Sequence, residues 1–363
     1  MNTAGLYKAI FDLHARAART VFKDGRAFPP LQIFFELTSS CNLSCRFCFY
    51  KGSLNEKRRT LKKNLTTDEI MDIIHAMPGS RLISFSGGEP LLRKDILELL
   101  ARASKIRTLS LETNGVALGA NLAREMVDLG ARNLLSPGLL SIDISVHGNR
   151  QTHDNITGKN GSWDKTRAAV LRLIAARRAL GKRFPFVNIK TVLCEENSGQ
   201  ILDIYKTAHK LGIDHLVFKL LDPGRTGFEN SGEKGPFLGI DEMPKWRETS
   251  LQKLDKQMKE AIRRARTDNM GIFFIPLSST FEQVSRYYRS GWTPRDLTCS
   301  GIFSRLSVMP GGDYYLCKIF GYGNARQMKP MAAWNSIPFR SFRKKIIDYG
   351  PMDECMGCCY LEP

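Results

Sequence analysis

Residues 38–50 read TSSCNLSCRFCFY, and Cys41, Cys45 and Cys48 fall within eight residues of one another. They follow directly on the apolar run LQIFFEL (31–37), which predicts a strand that ends at a cysteine loop. A structural zinc site or a fully ligated iron–sulfur cluster takes four protein ligands. Only three thiols stand here, and nothing nearby has ligand spacing. Three thiolates on a four-iron cluster leave one iron open to a small chelating molecule. That arrangement is catalytic rather than structural, and the rest of the chain must supply its scaffold.

The 363 residues suit one large domain with an appendage. Hydrophobic content of 42% and charged content of 25% are those of an ordinary globular protein. No apolar run reaches the roughly 18 residues of a membrane span. The opening MNTAGLYKAIFDLHARAART has no apolar signal core, which predicts mature cytoplasmic sequence. The nine cysteines cluster at 41/45/48, 299/317 and 355/358/359, with Cys194 alone. Such clustering favours metal or catalytic thiols over disulfides. The net charge of +18 suits nucleic acid, anionic lipid or an acidic substrate, or simply a basic surface. Its densest patch, KGSLNEKRRTLKK (51–63), follows the cysteine loop and reads as a solvated face or the rim of a site.

From Leu31 onward strand and helix patterns alternate. LQIFFEL, RLISFSG (81–87), TLSLETNG (108–115), LLSIDISVHG (139–148), FVNIKTVL (186–193) and HLVFKLL (215–221) read as strands. Helices fall between them, the first opened by a capping box at Thr66–Glu69. The fold class is therefore α/β, with six parallel strands forming a partial (β/α)6 TIM-like barrel. In such barrels the chemistry sits on the loops after the strands. Residues 1–28 hold a basic helix with Leu6, Ile10, Leu13, Ala17 and Val21 at helical spacing, to be packed on the body or laid on a membrane surface. The core barrel is set at 29–230, a helical and aromatic insert or linker at 231–298, and a cysteine-bearing domain at 299–363.

The cysteine triplet, with Phe47 before its last member, resembles the signature of radical S-adenosylmethionine (radical SAM) enzymes. Gly87-Gly88-Glu89-Pro90 stands after the second strand, where that family carries its GGEP motif. The resemblance runs from about residue 30 to the end. It implies that Cys41, Cys45 and Cys48 hold a [4Fe-4S] cluster whose open iron chelates S-adenosyl-L-methionine (SAM). Reductive cleavage of SAM would then give a 5′-deoxyadenosyl radical that abstracts hydrogen from a C–H bond. By the same resemblance the Phe47 backbone approaches adenine, and Gly87, Gly88, Glu89 and Pro90 form the turn that binds the SAM ammonium. Ser145 takes the ribose contact and Lys190 the SAM carboxylate, each with an ordinary strand serine or solvent-facing lysine as its plain alternative. Asn188 and Asn197 are weaker candidates, and no catalytic acid or base is assigned.

The second cysteine set lies in TCSGIFSRLSVMPGGDYYLC (298–317) and DECMGCCYLEP (353–363). PGG between two strand-like runs predicts a β-hairpin. The set resembles the SPASM extension of radical SAM enzymes in its shorter twitch form. That resemblance implies one auxiliary [4Fe-4S] cluster on Cys299, Cys317, Cys355 and Cys358, with Cys359 as a bystander or a substitute for Cys358. Two cysteine pairs also suit zinc. Cys194 reads as a small buried hydrophobe or a pocket-lining thiol.

The expected activity is oxidation or bond formation on a ribosomal peptide, with an aminosugar, phosphorylated or lipid-linked small molecule as the alternative. Expected partners are a flavodoxin-type reductase and a separate peptide-recognition protein, because the 40 residues before Cys41 are too few for a fused one. The aromatics Trp246, Phe273, Phe274, Phe281, Tyr287, Tyr288 and Trp292 are set to lid the barrel mouth or to form core. A non-catalytic metal protein binding nucleic acid through the basic surface is the competing class. It has no need of a three-ligand triplet or of GGEP.

Overall fold

Period-two alternation builds the molecule. In a strand, successive side chains point to opposite faces. Ile33, Phe35, Ile83, Phe85, Leu109, Leu111, Ile142, Ile144, Val187, Ile189, Leu216 and Phe218 are all at most 1% exposed. They form the outer faces of the strands under a layer of helices, each contributing about 1.5–3 kcal/mol by burial. Between them lie Ser84, Ser110, Glu112, Asp143, Asn188 and Lys190, which face inward onto one cavity. A sheet whose inner faces share one cavity must be curled.

The structure, a computed structural model, describes residues 3–48, 63–221, 246–275, 280–290, 297–317, 319–352, 355, 358 and 361–362. In chain order the elements are α1 (Thr3–Val21), β1 (Gln32–Glu36), α2 (Thr67–His75), β2 (Leu82–Ser86), α3 (Ile96–Ser104), β3 (Thr108–Thr113), α4 (Ala120–Asp128), β4 (Gly138–Ser145), α5 (Arg150–Thr157) and α6 (Ser162–Ala179). There follow β5 (Phe186–Val192), α7 (Ile201–Leu211), β6 (His215–Lys219), α8 (Glu248–Thr267), β7 (Gly271–Ile275), α9 (Phe281–Ser290) and β8 (Thr298–Cys299). The last are α10 (Gly301–Ser304), β9 (Arg305–Val308), β10 (Asp313–Cys317), β11 (Phe320–Asn324), α11 (Pro330–Trp334), α12 (Ile337–Tyr349) and β12 (Leu361–Glu362). Among the described residues, no helix is long and apolar enough to cross a membrane.

All six expected strands form, and they pair in parallel in chain order. The sheet does not stop at the expected boundary near residue 230. β7 adds to β6 in parallel, so α8 and β7 make a seventh unit of what was read as an insert. On the other side β9 pairs in parallel with β1, and the expected hairpin carries the sheet on through β10 to β11. Phe320–Asn324, beyond the expected hairpin, is thus a further strand. The insert aromatics are mainly core: Trp246, Phe274, Phe281, Tyr287 and Tyr288 are buried, and Trp292 lies outside the described residues. Tyr287 and Tyr288 donate to the carbonyls of Leu221 and Leu193, both at 2.9 Å, and so clamp the loops after β6 and β5. Of the basic patch at 51–63, only Lys63 lies within the described residues.

α1 packs with its other side. Phe11, Ala15 and Ala18 are buried, while Ile10, Leu13 and Val21 of the stripe singled out from sequence face solvent. Tyr7, Lys8 and Phe11 floor the barrel cavity. Arg343, fully buried, ties the C-terminal domain together. Its guanidinium donates to the carbonyls of Ile302 and Trp334, each at 2.8 Å, and lies 4.0 Å over the Trp334 ring.

The capping box on α2 is present in full, with Thr66 and Glu69 each accepting from the other's amide. Glu69 also receives Arg326 at 2.6 and 3.1 Å, which joins α2 to the C-terminal domain. Arg326 first and the Thr66 amide next, against opposition from burial, draw the Glu69 carboxyl from 4.5 down to about 2. A lowered folded-state value stabilises the fold above pH 4.5, and that contribution is lost as pH falls through about 2. Glu69→Gln should therefore be less stable than the parent at neutral pH. It should also show a shallower loss between those two pH values in urea-midpoint measurements.

Candidate metal centre

The loop after β1 is fastened to the loop after β2 by backbone alone. Leu37 donates to Ser86 O at 2.8 Å, Gly88 to Thr38 O at 2.7 Å and Glu89 to Ser40 O at 2.8 Å. Gly87 sits at φ +131°, and a Cβ on Gly88 would stand 2.3 Å from Ser40 O. Side chains are excluded here because two backbones meet. The cysteine triplet and GGEP, far apart in sequence, thus form one site.

Glu89 braces that contact. Its carboxylate is 1% exposed and accepts from Thr113 Oγ1 at 2.6 Å, Asn114 N at 2.7 Å and Leu91 N at 3.0 Å. Burial raises its pKa against the pull of these three donors. The side chain therefore holds the β3 loop to the GGEP turn. Asn114, which sequence reading passed over, donates to Asn42 at 2.8 Å and stands 3.8 Å from Cys41 Sγ. The tripeptide Thr113-Asn114-Gly115 at a strand end was its available signal.

The cysteine loop is pinned from the other side by α5, a helix also missed in the sequence. Ser44 and Arg46 donate to the carbonyls of Thr157 and Ile156 at 2.9 and 2.8 Å, and Lys159 reaches Asn42 O at 3.1 Å. Cys48 N bonds Cys45 O at 3.0 Å. Burial, with Cys48 and Glu89 adding, pushes the Cys41 thiol up. Thiols gathered in one another's field are made compatible by a cation that displaces their protons. Three thiols, none in a disulfide, are the donor chemistry an iron–sulfur cluster takes, while among the described residues no three His, Cys, Asp or Glu side chains close on a single metal ion.

Phe47 packs edge-on to His147 with ring centroids 4.9 Å apart, and His147 stacks on His153 at 5.8 Å. Burial takes His147 to about 3 and His153 to about 4, so both are neutral walls. Ser145 ends β4 in register with Lys190. Lys190 Nζ lies 2.5 Å from Glu112 Oε1 and faces inward, which replaces the solvent-facing alternative. Burial alone would raise Glu112, but Lys190 and Lys219 outweigh it and hold the carboxyl low.

Beneath these residues lies the barrel cavity, of about 330 Å³. One wall carries a hydrogen-bonded chain: Asn188 donates to Asp143 at 2.7 Å and faces His215 Nδ1 at 2.9 Å. The opposite wall carries Arg305–Gln32 at 2.8 Å, Gln32–Ser84 at 2.6 Å and Ser84–Ser110 at 2.6 Å. Asn197 is instead a loop brace, bonded to Val192 O at 2.8 Å. Cys194 is buried, and burial pushes it up to about 12, as expected for a core thiol.

Cys299, Cys317 and Cys355 stand within one another's electrostatic reach. Burial first, with Cys355 among the further causes, pushes Cys299 up to about 11 and Cys317 up to about 12. Cys358 N bonds Cys355 O at 3.1 Å, and Leu361 pairs with Cys299 in a two-stranded ribbon of β8 and β12. Cys299 thus sits on that ribbon rather than at the outer end of the hairpin. Cys359 lies outside the described residues.

Two family models match the chain: the radical SAM superfamily over 35–208, and SPASM, an iron–sulfur cluster-binding domain, over 299–359. The second decides against zinc for the C-terminal set. A probable GTP 3′,8-cyclase of Thermococcus kodakarensis is 31% identical over 293 residues, 80% of this chain and 85% of its own. An AdoMet-dependent heme synthase of Methanosarcina barkeri is 32% identical over 202 residues, 54% of this chain and 52% of its own. The chain spans about half the length of several curated relatives it matches. Streptococcus suis SuiB bound to precursor peptide SuiA shares the fold, with TM-score 0.63 and 15% identity over 90% of this chain and 69% of that one.

Gly88→Ala should force the two loops apart at a cost of about 1–3 kcal/mol. Equilibrium dialysis with labelled SAM should show binding weakened about tenfold or more, with the iron content of the reconstituted protein retained.

Proposed function

Because this chain belongs to the radical SAM superfamily and ends in an iron–sulfur SPASM domain, we propose that it oxidises, or forms a bond on, a peptide whose target residue enters the barrel cavity. The observation that carries this reading is the cavity itself. It lies inside the barrel, lined by inward-facing residues of the strands, among them Glu112, Asp143, Asn188 and Lys190, and is floored by α1. Its volume of about 330 Å³ suits one side chain with its backbone. What the triplet-held cluster and SAM supply when bound is a 5′-deoxyadenosyl radical that removes hydrogen from an unactivated C–H bond.

The chain's own part is orientation and exclusion of water. Cys41, Cys45 and Cys48 hold the first cluster. The backbone of Gly87, Gly88 and Glu89 would receive the SAM ammonium, with Pro90 starting the turn that follows, and Ser145 would meet the ribose. Lys190, already paired with Glu112, would meet the SAM carboxylate. Asp143, Asn188 and His215 offer a substrate acceptors and donors from the cavity wall. Cys299, Cys317, Cys355 and Cys358 hold the auxiliary cluster, whose place is to take up or relay an electron. A flavodoxin-type donor and a separate peptide-binding protein complete the system. Support for a peptide comes from SuiB with its precursor peptide and from anSMEcpe with the Kp18Cys peptide, both sharing this fold.

A second reading, a nucleotide or tetrapyrrole metabolite, is favoured by the names of the sequence relatives and by the closed cavity floor. Anaerobic reconstitution should give about eight irons per chain, two four-iron clusters' worth. SAM and dithionite should then yield 5′-deoxyadenosine, lost in Cys41→Ala. About four irons would remove the auxiliary cluster, and no 5′-deoxyadenosine would remove the activity. Deuterium passing into 5′-deoxyadenosine from labelled peptides supports the first reading. Transfer only from nucleotides or tetrapyrroles supports the second.

A further inference from the structure

Nine large apolar side chains stand exposed among the described residues, and five of them, Ile10, Leu13, Val21, Leu135 and Ile337, lie on or beside α1. At 100° per residue, Ile10, Leu13 and Val21 form a single stripe on the side of α1 away from its buried Phe11, Ala15 and Ala18. Leu13 is 70% exposed. Leu135, 74% exposed, follows Leu134, whose carbonyl accepts from Tyr7 of α1 at 2.9 Å. Ile337, 77% exposed, starts α12 one turn before Arg340, which bonds Asp24, just past the end of α1, at 2.5 Å. Exposed cations accompany these residues in the chain: Arg16 on α1, Lys23 just past its end, Arg132 three residues before Leu135, and Lys344 and Lys345 on α12.

Scattered exposed apolar residues need no explanation, but a contiguous strip does. A basic chain of net charge +18 with such a strip suits an anionic partner that accepts apolar side chains. A bilayer interface does both, taking apolar groups below the headgroups and cations at their level. We infer that α1, with Leu135 and Ile337, docks this protein on the surface of an anionic membrane. Docking is at the floor end of the barrel, where the opposite side of α1 lines the cavity, so the site mouth stays free.

The test is flotation of the full chain with phosphatidylcholine vesicles, with and without phosphatidylglycerol. The parent should float with the anionic vesicles only, and added salt should release it. Ile10→Ser/Leu13→Ser and, separately, Arg16→Glu/Lys23→Glu should each lower partitioning tenfold or more. Both pairs face solvent, so circular dichroism and iron content should match the parent. No flotation of the parent, or unchanged flotation of the serine pair, overturns the inference. So does a parent dimer in sedimentation velocity that the serine pair dissolves in place of any vesicle binding, because the strip then covers a second copy.

Discussion

Two amide hydrogen bonds, from Gly88 to Thr38 and from Glu89 to Ser40, hold the site together. Each is worth only about 0.5–1.5 kcal/mol net. Their value lies in what they exclude. They bring two loops so close that neither glycine can carry a side chain, and they leave the remaining backbone groups of both loops facing one space. Glu89 then spreads the constraint to a third loop through Thr113 and Asn114. The placing of the cysteine loop against the GGEP turn follows from that contact.

The barrel is apolar outside and mixed within. Its helix-facing side is nearly all aliphatic and aromatic, while its interior sets, among side chains such as Phe34, Leu82, Phe186 and Phe273, carboxylates, lysines, amides and hydroxyls. Those groups are satisfied mostly by one another, in strand-to-strand pairs such as Glu112–Lys190 and Asp143–Asn188. A satisfied polar wall is rigid, and it discriminates strongly against a guest that leaves one of its groups unpaired.

Much of this was legible in the residues. The cysteine spacing, GGEP, the capping box and six strands each rest on local patterns, and each appears where expected. Three things did not show. β7 is five residues, GIFFI, with no alternation, so its strand character comes only from lying against β6. α5 is short and polar, and only Asn149 before it and Gly158 after it mark its ends. For α1 the apolar periodicity was real, but small residues on the opposite side, Ala15 and Ala18, allow the closer approach to the body, and the larger stripe was left outside. Pairings such as Lys190 with Glu112 depend on register between distant strands, which no local pattern encodes.

β9 runs alongside β1 as a parallel neighbour. The cysteine-bearing tail is therefore not a module on a tether but an extension of the same sheet. Melting should be a single calorimetric event, without a separate shoulder for the last third of the chain. The span between the two thiol clusters is likewise set by ladder geometry. An electron hopping between them would meet the same gap whether or not the barrel holds a guest.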